Sequence, residues 1–202
     1  GTGKQALSQI GTMLAVRPIR RVQVFSPTAD KRAAFVAKAR EEFGIEIADC
    51  SSVEAACKGA QIVTLVTRAT QPFLTPAMLE PGTHLNAVGA IAPDREEFTQ
   101  DMFSRVTAVA VDNVSGVQAL SREFMTYYGK AGWDAVQPLS KLIAAGRRRT
   151  DKDDITLFKA MGMGISDLAL GVELAKRARE RGVGRVMPQP KKVKPRLVTG
   201  KK

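Results

Sequence analysis

Short, almost continuously apolar segments constrain the fold of this chain more than any other feature. Three of them are QIVTLVT at 61–67, THLNAV at 83–88 and VTAVAVD at 106–112. A strand with one face in water alternates apolar and polar residues, so nearly continuous apolar strands indicate burial on both faces. Helix-length stretches separate the three segments. The pattern therefore predicts a parallel sheet with helices packed on both sides.

Helical and extended periods alternate through the rest of the chain as well. Apolar residues recur at helical spacing from Ala6 to Leu14, and a β-branched segment at 19–25 ends at the turn sequence Ser26-Pro27-Thr28. The remaining patterns predict helices at 33–43, 51–59, 94–104, 138–145 and 167–181, and strands at 45–48 and 155–159. The residues around Tyr127, Tyr128 and Trp133, close to two glycines, are predicted to form a loop. The predicted class is α/β.

Composition limits the classes of protein to which the chain can belong. Apolar residues make up 44% of the 202, enough for a buried core, and no stretch approaches the ~20 apolar residues of a membrane span. No basic segment followed by an apolar one opens the chain, so we expect a cytoplasmic protein. Cys50 and Cys57 have neither metal-ligand partners nor the density of a disulfide framework, and we expect free thiols and no metal site.

The first six residues, Gly1-Thr2-Gly3-Lys4-Gln5-Ala6, form a G-x-G-x-x-A pattern directly before the first predicted helix. Glycines let the backbone approach a pyrophosphate, and the helix N-terminus offers free N–H groups and the positive end of its dipole. The pattern alone is weak, because short glycine patterns occur by chance. A strand normally precedes these glycines. The predicted fold is therefore a Rossmann-like, doubly wound and mostly parallel sheet that lacks its first strand.

The end of the next predicted strand bears on which dinucleotide would bind. About 20 residues after the glycines, folds of this kind that prefer NAD place Asp or Glu on the ribose 2′-hydroxyl. Ser26 stands there, with Thr28, Lys31 and Arg32 close by in sequence. Hydroxyl groups and cations suit a 2′-phosphate, so the sequence favours NADP(H) over NAD(H). The alternative, that Lys31 and Arg32 are ordinary exposed helix residues, stays open.

Four segments carry more information together than the glycine pattern does alone. They are GTGKQA at 1–6, VTRATQPFL at 66–74, PGTHLNAVGAIAPDREEF at 81–98 and ITLFKAMGMGISDLA at 155–169. In this order they resemble the ornithine cyclodeaminase/μ-crystallin family, from Gly1 to about Arg185. The resemblance implies a homodimeric NAD(P)-dependent protein of which this chain is the dinucleotide domain. The family's N-terminal part, with the cations for the substrate carboxylate and most of the dimer interface, would be absent.

The resemblance also assigns candidate binding residues. The pyrophosphate loop corresponds to Gly1, Gly3, Lys4 and Gln5, the adenosine ribose position to Ser26, and a strand end along the cofactor to Thr67. The strand and loop that pass the nicotinamide correspond to Leu85, Asn86, Ala87, Val88 and Gly89. A basic cofactor contact corresponds to Arg95, and the segment that faces nicotinamide and substrate to Met161 and Gly162.

Two positions depart from the family's pattern. Members that deaminate ornithine have an Asp two residues after the glycine equivalent to Gly89, where this chain has Ile91, and a serine expected before Met161 is Ala160. Ile91 can neither accept nor deliver a proton, so cyclodeamination is disfavoured and no catalytic acid is assigned. Asp94 is a weak substitute, more readily explained as a carboxylate at a helix N-terminus.

Three classes of function follow from these residues. The leading hypothesis is an NAD(P)-dependent oxidoreductase that reduces a cyclic imino acid of the ketimine or pyrroline-carboxylate type, or dehydrogenates a small amino acid. One alternative is an ornithine cyclodeaminase, which forms L-proline and ammonia, and another is a non-catalytic, NADP-binding, crystallin-like protein. We expect the 202 residues alone to be inactive.

A further class, nucleic-acid binding, depends on where the net charge of +11 is located. Residues 187–202 hold six Lys or Arg, three Pro and no acid, which predicts a basic disordered tail after one domain at 1–186. No aromatic side chain lies among these cations, so a solvated tail is favoured over a nucleic-acid arm.

Overall fold

The structure is a computed structural model that describes residues 1–188. Contacts divide the chain into two compact units, one formed by Gly1–Met163 and a second that begins at Gly164. Most of the predicted basic tail, residues 189–202, lies outside the described residues. The single domain predicted at 1–186 and the disorder of the tail stay predictions.

The first unit begins with a small two-stranded sheet and its helices. In chain order these elements are α1 (Ala6–Val16), β1 (Arg21–Val24), α2 (Ala29–Phe43) and β2 (Glu46–Asp49). Strands β1 and β2 pair in parallel. Their core consists of Val24 and Ile47 packed against Val36 and Ala39 of α2. Helix α2 ends at Gly44, whose φ of 61° is the left-handed conformation that glycine adopts most readily.

A larger sheet follows in the same unit. Its elements are α3 (Val53–Cys57), β3 (Ile62–Leu65), β4 (His84–Ala87), β5 (Val106–Val111), α4 (Val114–Leu120), α5 (Arg122–Ala131), β6 (Val136–Pro138), α6 (Leu139–Ala144) and β7 (Ile155–Lys159). Short 3-10 helices lie at Pro76–Met78 and Gln100–Ser104. The strand order is β3-β4-β7-β5-β6, and every pairing is parallel. The predicted α/β class and Rossmann-like parallel sheet are confirmed.

A gap separates the two sheets. Among the described residues, no strand fills the space that separates β1 from β3. That space is a cavity of about 640 Å³ lined by α1, β1, α3 and β3. In a doubly wound sheet this is the place of the strand that precedes the glycine loop. In the described part of the chain this place holds no strand.

The larger sheet is fully buried on one face only. Leu85, Leu157 and Val111 are inaccessible on that face and pack on Phe98 and Phe124, whereas alternate residues of β3, β5 and β7 are half-buried. Burying each large apolar side chain stabilises the fold by about 1.5–3 kcal/mol. The continuous apolar pattern predicted burial on both faces, and within the described residues this is wrong for the second face.

Two stretches differ in secondary structure from the pattern-based predictions. The predicted helix at 94–104 is wrong, because this segment is held extended at Phe98, which bridges to Leu74, before the 3-10 helix begins. The predicted loop around Tyr127 and Tyr128 is also wrong, because both residues lie in α5, where Tyr127 stacks on the Phe103 ring and Tyr128 meets it edge-to-face. In each case packing against distant residues outweighs the local signals of proline, aspartate and glycine.

The second unit contains one described helix, α7 (Gly164–Glu180), which begins three residues before the predicted start at Asp167. Its apolar side chains are exposed, among them Leu168, Leu170 and Leu174. Over the described residues, no helix combines the length and hydropathy that a membrane crossing requires.

Candidate functional site

The residues that follow β3, β4 and β7 come together at one edge of the sheet. These three strands are adjacent and parallel, so their carboxyl ends point the same way. Thr67, Gly89 and Met161 follow them directly and therefore neighbour one another, although they are far apart in sequence. In open α/β sheets, ligands bind outside the carboxyl ends of the strands. This edge is the candidate site.

The glycine bend lies at the same edge, above the gap in the sheet. The backbone nitrogen of Gly1 donates to the carbonyl of Phe25, just after β1, at 2.6 Å. A Cβ atom on Gly1 would lie 3.0 Å from the carbonyl oxygen of Val66, just after β3. The bend therefore stands at the carboxyl ends of β1 and β3, where the pyrophosphate hypothesis requires it, and only a residue without a side chain fits comfortably.

The start of α1 suits an anion. Gln5 provides no side-chain cap, and the first turn holds no acid. A Cβ on Gly3 would meet nothing within 4 Å, and Gly3, Lys4 and Gln5 are exposed. Among the described residues, the N–H groups of residues 3–5 have no hydrogen-bond acceptor. Free N–H groups and the positive end of the helix dipole fit a pyrophosphate.

The predicted ribose position, Ser26, follows β1 and contacts a cation. Arg32 donates to the carbonyl of Ser26 at 2.6 Å, forms an ion pair with Asp49 at the end of β2, and lies 5.8 Å from the ring centre of Phe25. The Arg32 side chain is 13% exposed, so it is no ordinary surface cation. It joins the ends of β1 and β2.

The two other residues predicted beside Ser26 are exposed. Thr28 occupies the N-cap position of α2, where its hydroxyl makes no capping hydrogen bond. Lys31 lies in the first turn of the same helix. The structure therefore leaves a hydroxyl and an ammonium group open to solvent near Ser26.

Gly89 passes extremely close to Thr67 and Glu97. A Cβ on Gly89 would lie 2.3 Å from the carbonyl oxygen of Thr67 and 2.4 Å from a carboxylate oxygen of Glu97. No side chain can be accommodated there without moving the backbone. Glu97 was missed by the sequence interpretation, because a glutamate in the charged sequence DREEF resembles a surface residue.

Of the β4 residues predicted to pass the nicotinamide, some have side chains that point into the core and away from the site. Leu85 and Ala87 are wholly buried in the core, so their side chains are not at the edge. Asn86 donates through its amide nitrogen to the hydroxyl of Thr64, and its amide oxygen accepts from Nε2 of the His84 ring. The backbone N–H of Val88 donates to Leu65, which continues the sheet up to Gly89.

Asp112, at the end of β5, organises the loop after β7. Its carboxylate accepts hydrogen bonds from the N–H of Met161 at 2.9 Å and of Gly162 at 2.8 Å. Gly162 has a φ of 86°, which disfavours any residue with a side chain. Asp112 was also missed, although an acid directly after an apolar strand was a recognisable signal.

The positions expected to carry acid chemistry are exposed. Ile91 is 44% exposed, and the carboxylate of Asp94 is 74% exposed and 4.0 Å from Arg95. No helix begins at Asp94, so its interpretation as a helix N-terminal carboxylate is wrong. In the described part of the chain, no group of three His, Cys, Asp or Glu residues is arranged to hold a metal.

Burial shifts the pKa of several titratable groups. Burial raises the pKa of Glu123, and the charge of Lys159 opposes that rise. Burial lowers the pKa of His84, whose ring bonds to Thr156 and Asn86. Burial, aided by the charge of Glu54, raises the pKa of the free Cys57 thiol to about 11.

Comparisons with known proteins place the chain in a family. A sequence model of the ornithine cyclodeaminase/mu-crystallin family matches residues 1–182. A delta(1)-pyrroline-2-carboxylate reductase of Bacillus cereus is 28% identical over 188 residues, which cover 91% of this chain and 58% of that protein. The ketimine reductase mu-crystallin of Mus musculus is 29% identical over 168 residues, or 83% of this chain and 50% of that protein.

A solved structure is similar over nearly the whole chain. It is the Thermococcus litoralis delta(1)-pyrroline-2-carboxylate reductase in complex with NADH and L-proline, with a TM-score of 0.83 and 26% identity. The match covers 93% of this chain and 59% of that one. The chain thus spans between half and three-fifths of the length of these relatives.

Proposed function

Since this chain belongs to the ornithine cyclodeaminase/mu-crystallin family, we propose that the protein containing it is an NAD(P)-dependent oxidoreductase that reduces a cyclic imino acid. The observation that carries the proposal is the glycine bend, which lies at the carboxyl ends of β1 and β3 beside the uncapped start of α1. The names of the two similar reductases support an imine as the substrate class, and the pyrroline carboxylate in the first name is a cyclic one.

The geometry suggests how the chain would hold a dinucleotide. The free N–H groups of residues 3–5 would bind the pyrophosphate, with the adenosine half over Ser26 and the other half over Thr67, Gly89 and Met161. A bound nicotinamide dinucleotide would supply the hydride. The chain itself would orient the two reactants and, through the apolar Ile91 and Met161, limit access of water.

We also propose NADP(H) as the preferred cofactor. Ser26 offers no carboxylate to repel a 2′-phosphate, and Thr28 and Lys31 leave a hydroxyl and a cation exposed nearby. Arg32 contributes less to this preference than its sequence position suggested, because Asp49 already pairs with its charge. Lys4 and Arg95 would add cationic contacts along the dinucleotide.

Further parts of the proposal concern the protein as a whole. A small imino or amino acid would bind over Met161 and Gly162, a homodimer would form largely through segments other than this one, and the protein would be cytoplasmic. The archaeal reductase binds L-proline together with its dinucleotide, which supports the substrate class.

The test is a steady-state assay of the protein encoded in full by the gene that contains this chain. With NADPH and delta(1)-pyrroline-2-carboxylate or its six-membered homologue, we expect oxidation of the cofactor and formation of the cyclic amino acid. L-Ornithine with NAD⁺ should release no ammonia. Ammonia release without imine reduction would favour the cyclodeaminase alternative, and tight NADPH binding without either reaction would favour the crystallin-like binding protein.

A further inference from the structure

Three charged residues are buried together beneath the site edge. Glu97, Glu123 and Lys159, which we call the buried triad, all have an exposure of 0%. Burying charges costs several kcal/mol per ion unless hydrogen bonds and opposite charges compensate. Such a cluster is therefore retained only where its contacts are satisfied.

Glu97 uses all its acceptor capacity on two loops. One carboxylate oxygen accepts from the backbone N–H and from the hydroxyl of Thr67, both at 2.7 Å. The other accepts from the N–H groups of Gly89 and Ala90, both at 3.0 Å. One side chain thus joins the loop after β3 to the loop after β4.

Lys159, the last residue of β7, also binds the loop after β4. Its ammonium group donates to the carbonyl of Ala90 at 2.5 Å and lies 3.6 Å from the carboxylate of Glu123. Ala90 is therefore held at its N–H by Glu97 and at its carbonyl by Lys159. The ends of the adjacent strands β3, β4 and β7 are therefore connected at Ala90.

Glu123 anchors the triad to the helical layer. Its carboxylate accepts from the backbone N–H of Glu97 at 2.9 Å and from the hydroxyl of Ser121 at 3.1 Å. The position of Glu97 is thereby set from its backbone as well as from its side chain. The N–H groups of Gly89 and Ala90 and the carbonyl of Ala90 are thus joined in one hydrogen-bonded network.

We infer that Glu97 is a positioning residue, which together with Lys159 fixes the backbone of Gly89 and Ala90 at the edge that the nicotinamide half of the dinucleotide crosses. The inference rests on the proposed function only for the identity of the ligand. Displacements of about 1 Å in a reacting geometry can reduce a rate about 100-fold, so a network of this kind acts on the chemical step more than on overall affinity.

The deciding variant is Glu97→Gln, compared with Glu96→Gln. Glutamine has the same shape as glutamate, but one carboxylate oxygen becomes an NH₂ group. That group cannot accept hydrogen bonds from the N–H groups of the loop that it faces. Glu96 is the neighbouring carboxylate and is 9% exposed, and its side-chain hydrogen bond and ion pair within the described residues are with Gln100 and Arg122. The control therefore removes an adjacent, largely buried charge without touching either loop.

Both variants are made in the full gene product and assayed with NADPH, with 2′-phospho-ADP-ribose, which lacks nicotinamide, and with a cyclic imine. For Glu97→Gln we expect an unchanged Kd for 2′-phospho-ADP-ribose, an altered fluorescence of bound NADPH, and a kcat about 10-fold to 100-fold lower. The KM for the imine should change much less. Glu96→Gln should match the wild type in all four measurements.

Hydrogen exchange gives a second readout that needs no catalysis. The amides of Gly89 and Ala90 should exchange faster in Glu97→Gln and not in Glu96→Gln. Unchanged exchange and unchanged NADPH fluorescence in Glu97→Gln overturn the inference, as does faster exchange with an unchanged kcat in an active enzyme. If Glu97→Gln does not fold, Thr67→Val, which removes one of the four hydrogen bonds, should show the same changes to a smaller extent.

The outcomes separate the inference from the proposed function. A wild type that binds NADPH but reduces no imine defeats the proposed function, while the fluorescence and exchange comparison still decides the role of Glu97. A wild type that binds neither NADPH nor NADH overturns both, and one that binds only NADH is tested in the same way with NADH.

Discussion

Gly89 and Glu97 approach each other so closely that a Cβ on the glycine would lie 2.4 Å from the glutamate carboxylate. The backbone of Gly89 donates to the same carboxylate at 3.0 Å. The absence of a side chain at residue 89 and the presence of the acid at residue 97 are therefore one feature. It allows the loop after β4 to lie against the end of β3.

Gly89→Ala should destabilise the chain by about 2 kcal/mol or more, because the new methyl group overlaps backbone atoms of Thr67 that cannot move freely. Gly129→Ala is the matched control, since a Cβ at that position in α5 meets nothing within 4 Å. Alanine should stabilise the helix there by about 0.5–1 kcal/mol. Urea unfolding of both variants measures the difference, and equal stabilities would contradict the close approach.

Cys57 should be almost unreactive in the folded protein. Its pKa of about 11, against an ordinary value near 9, lowers the thiolate fraction at pH 8 by about 100-fold. With Cys50→Ser leaving a single thiol, the rate of alkylation by iodoacetamide should rise at least about 10-fold when the chain is unfolded in urea, after correction for the effect of urea on a free thiol. Equal rates in the folded and unfolded states would show that the thiol is not protected.

His84 should make folding sensitive to mild acid. Burial lowers its pKa in the folded state, so the unfolded state binds the proton more readily. Its neutral form contributes stability that is complete above about pH 6.5 and decreases as pH falls through that value and towards the folded pKa.

The measurement for His84 is the free energy of unfolding between pH 5 and pH 8, for the wild type and for His84→Gln. Glutamine retains hydrogen-bonding capacity towards Thr156 and Asn86 but does not titrate. The free energy of unfolding of the wild type minus that of His84→Gln should be constant above pH 7. Below pH 7 this difference should decrease, because only the wild type loses stability when His84 titrates. Parallel curves throughout would contradict the prediction.

Ser26→Asp should shift the dinucleotide preference in the full gene product. A carboxylate after β1 would accept from a ribose 2′-hydroxyl and repel a 2′-phosphate. We expect the ratio of the Kd values for NADPH and NADH to rise at least about 10-fold, an effect of about 1.4 kcal/mol. Thr12→Asp is the matched control, because Thr12 is an exposed residue far along α1 and bonds only to its own helix. An unchanged ratio would remove Ser26 from the cofactor site.

Ile91→Asp should introduce the proton-transfer step that the natural residue prevents. Ile91 is 44% exposed, so an aspartate there needs little rearrangement and no burial of charge. A positioned acid or base contributes about 100-fold or more to proton transfer. We expect ammonia release from L-ornithine to exceed that of the wild type at least about 10-fold, with Ile91→Asn as the control. Equal release by the Asp and Asn variants would contradict the assignment of this position.

The amino-acid sequence by itself determined the periodicities that form β1 to β5 and β7, the parallel α/β class and the glycine bend before α1. These are local properties, since apolar spacing and glycine content act within a few residues. Only the tertiary structure decided that β7 pairs between β4 and β5, and hence that Lys159 lies under Ala90. Parallel strands join residues that are remote along the chain, and local spacing carries no information on their lateral order.

The same reason explains the residues that the sequence interpretation missed or misjudged. Glu97 resembled a surface acid and Asp112 was given no role, because the role of each is set by backbone N–H groups of distant loops. Arg32 looked like a free cation until the pairing of β1 with β2 brought Asp49 to it. The sequence gives the sign of each charge. Whether the charged group is buried, paired or accessible to a ligand depends on which strands and loops the fold places next to it.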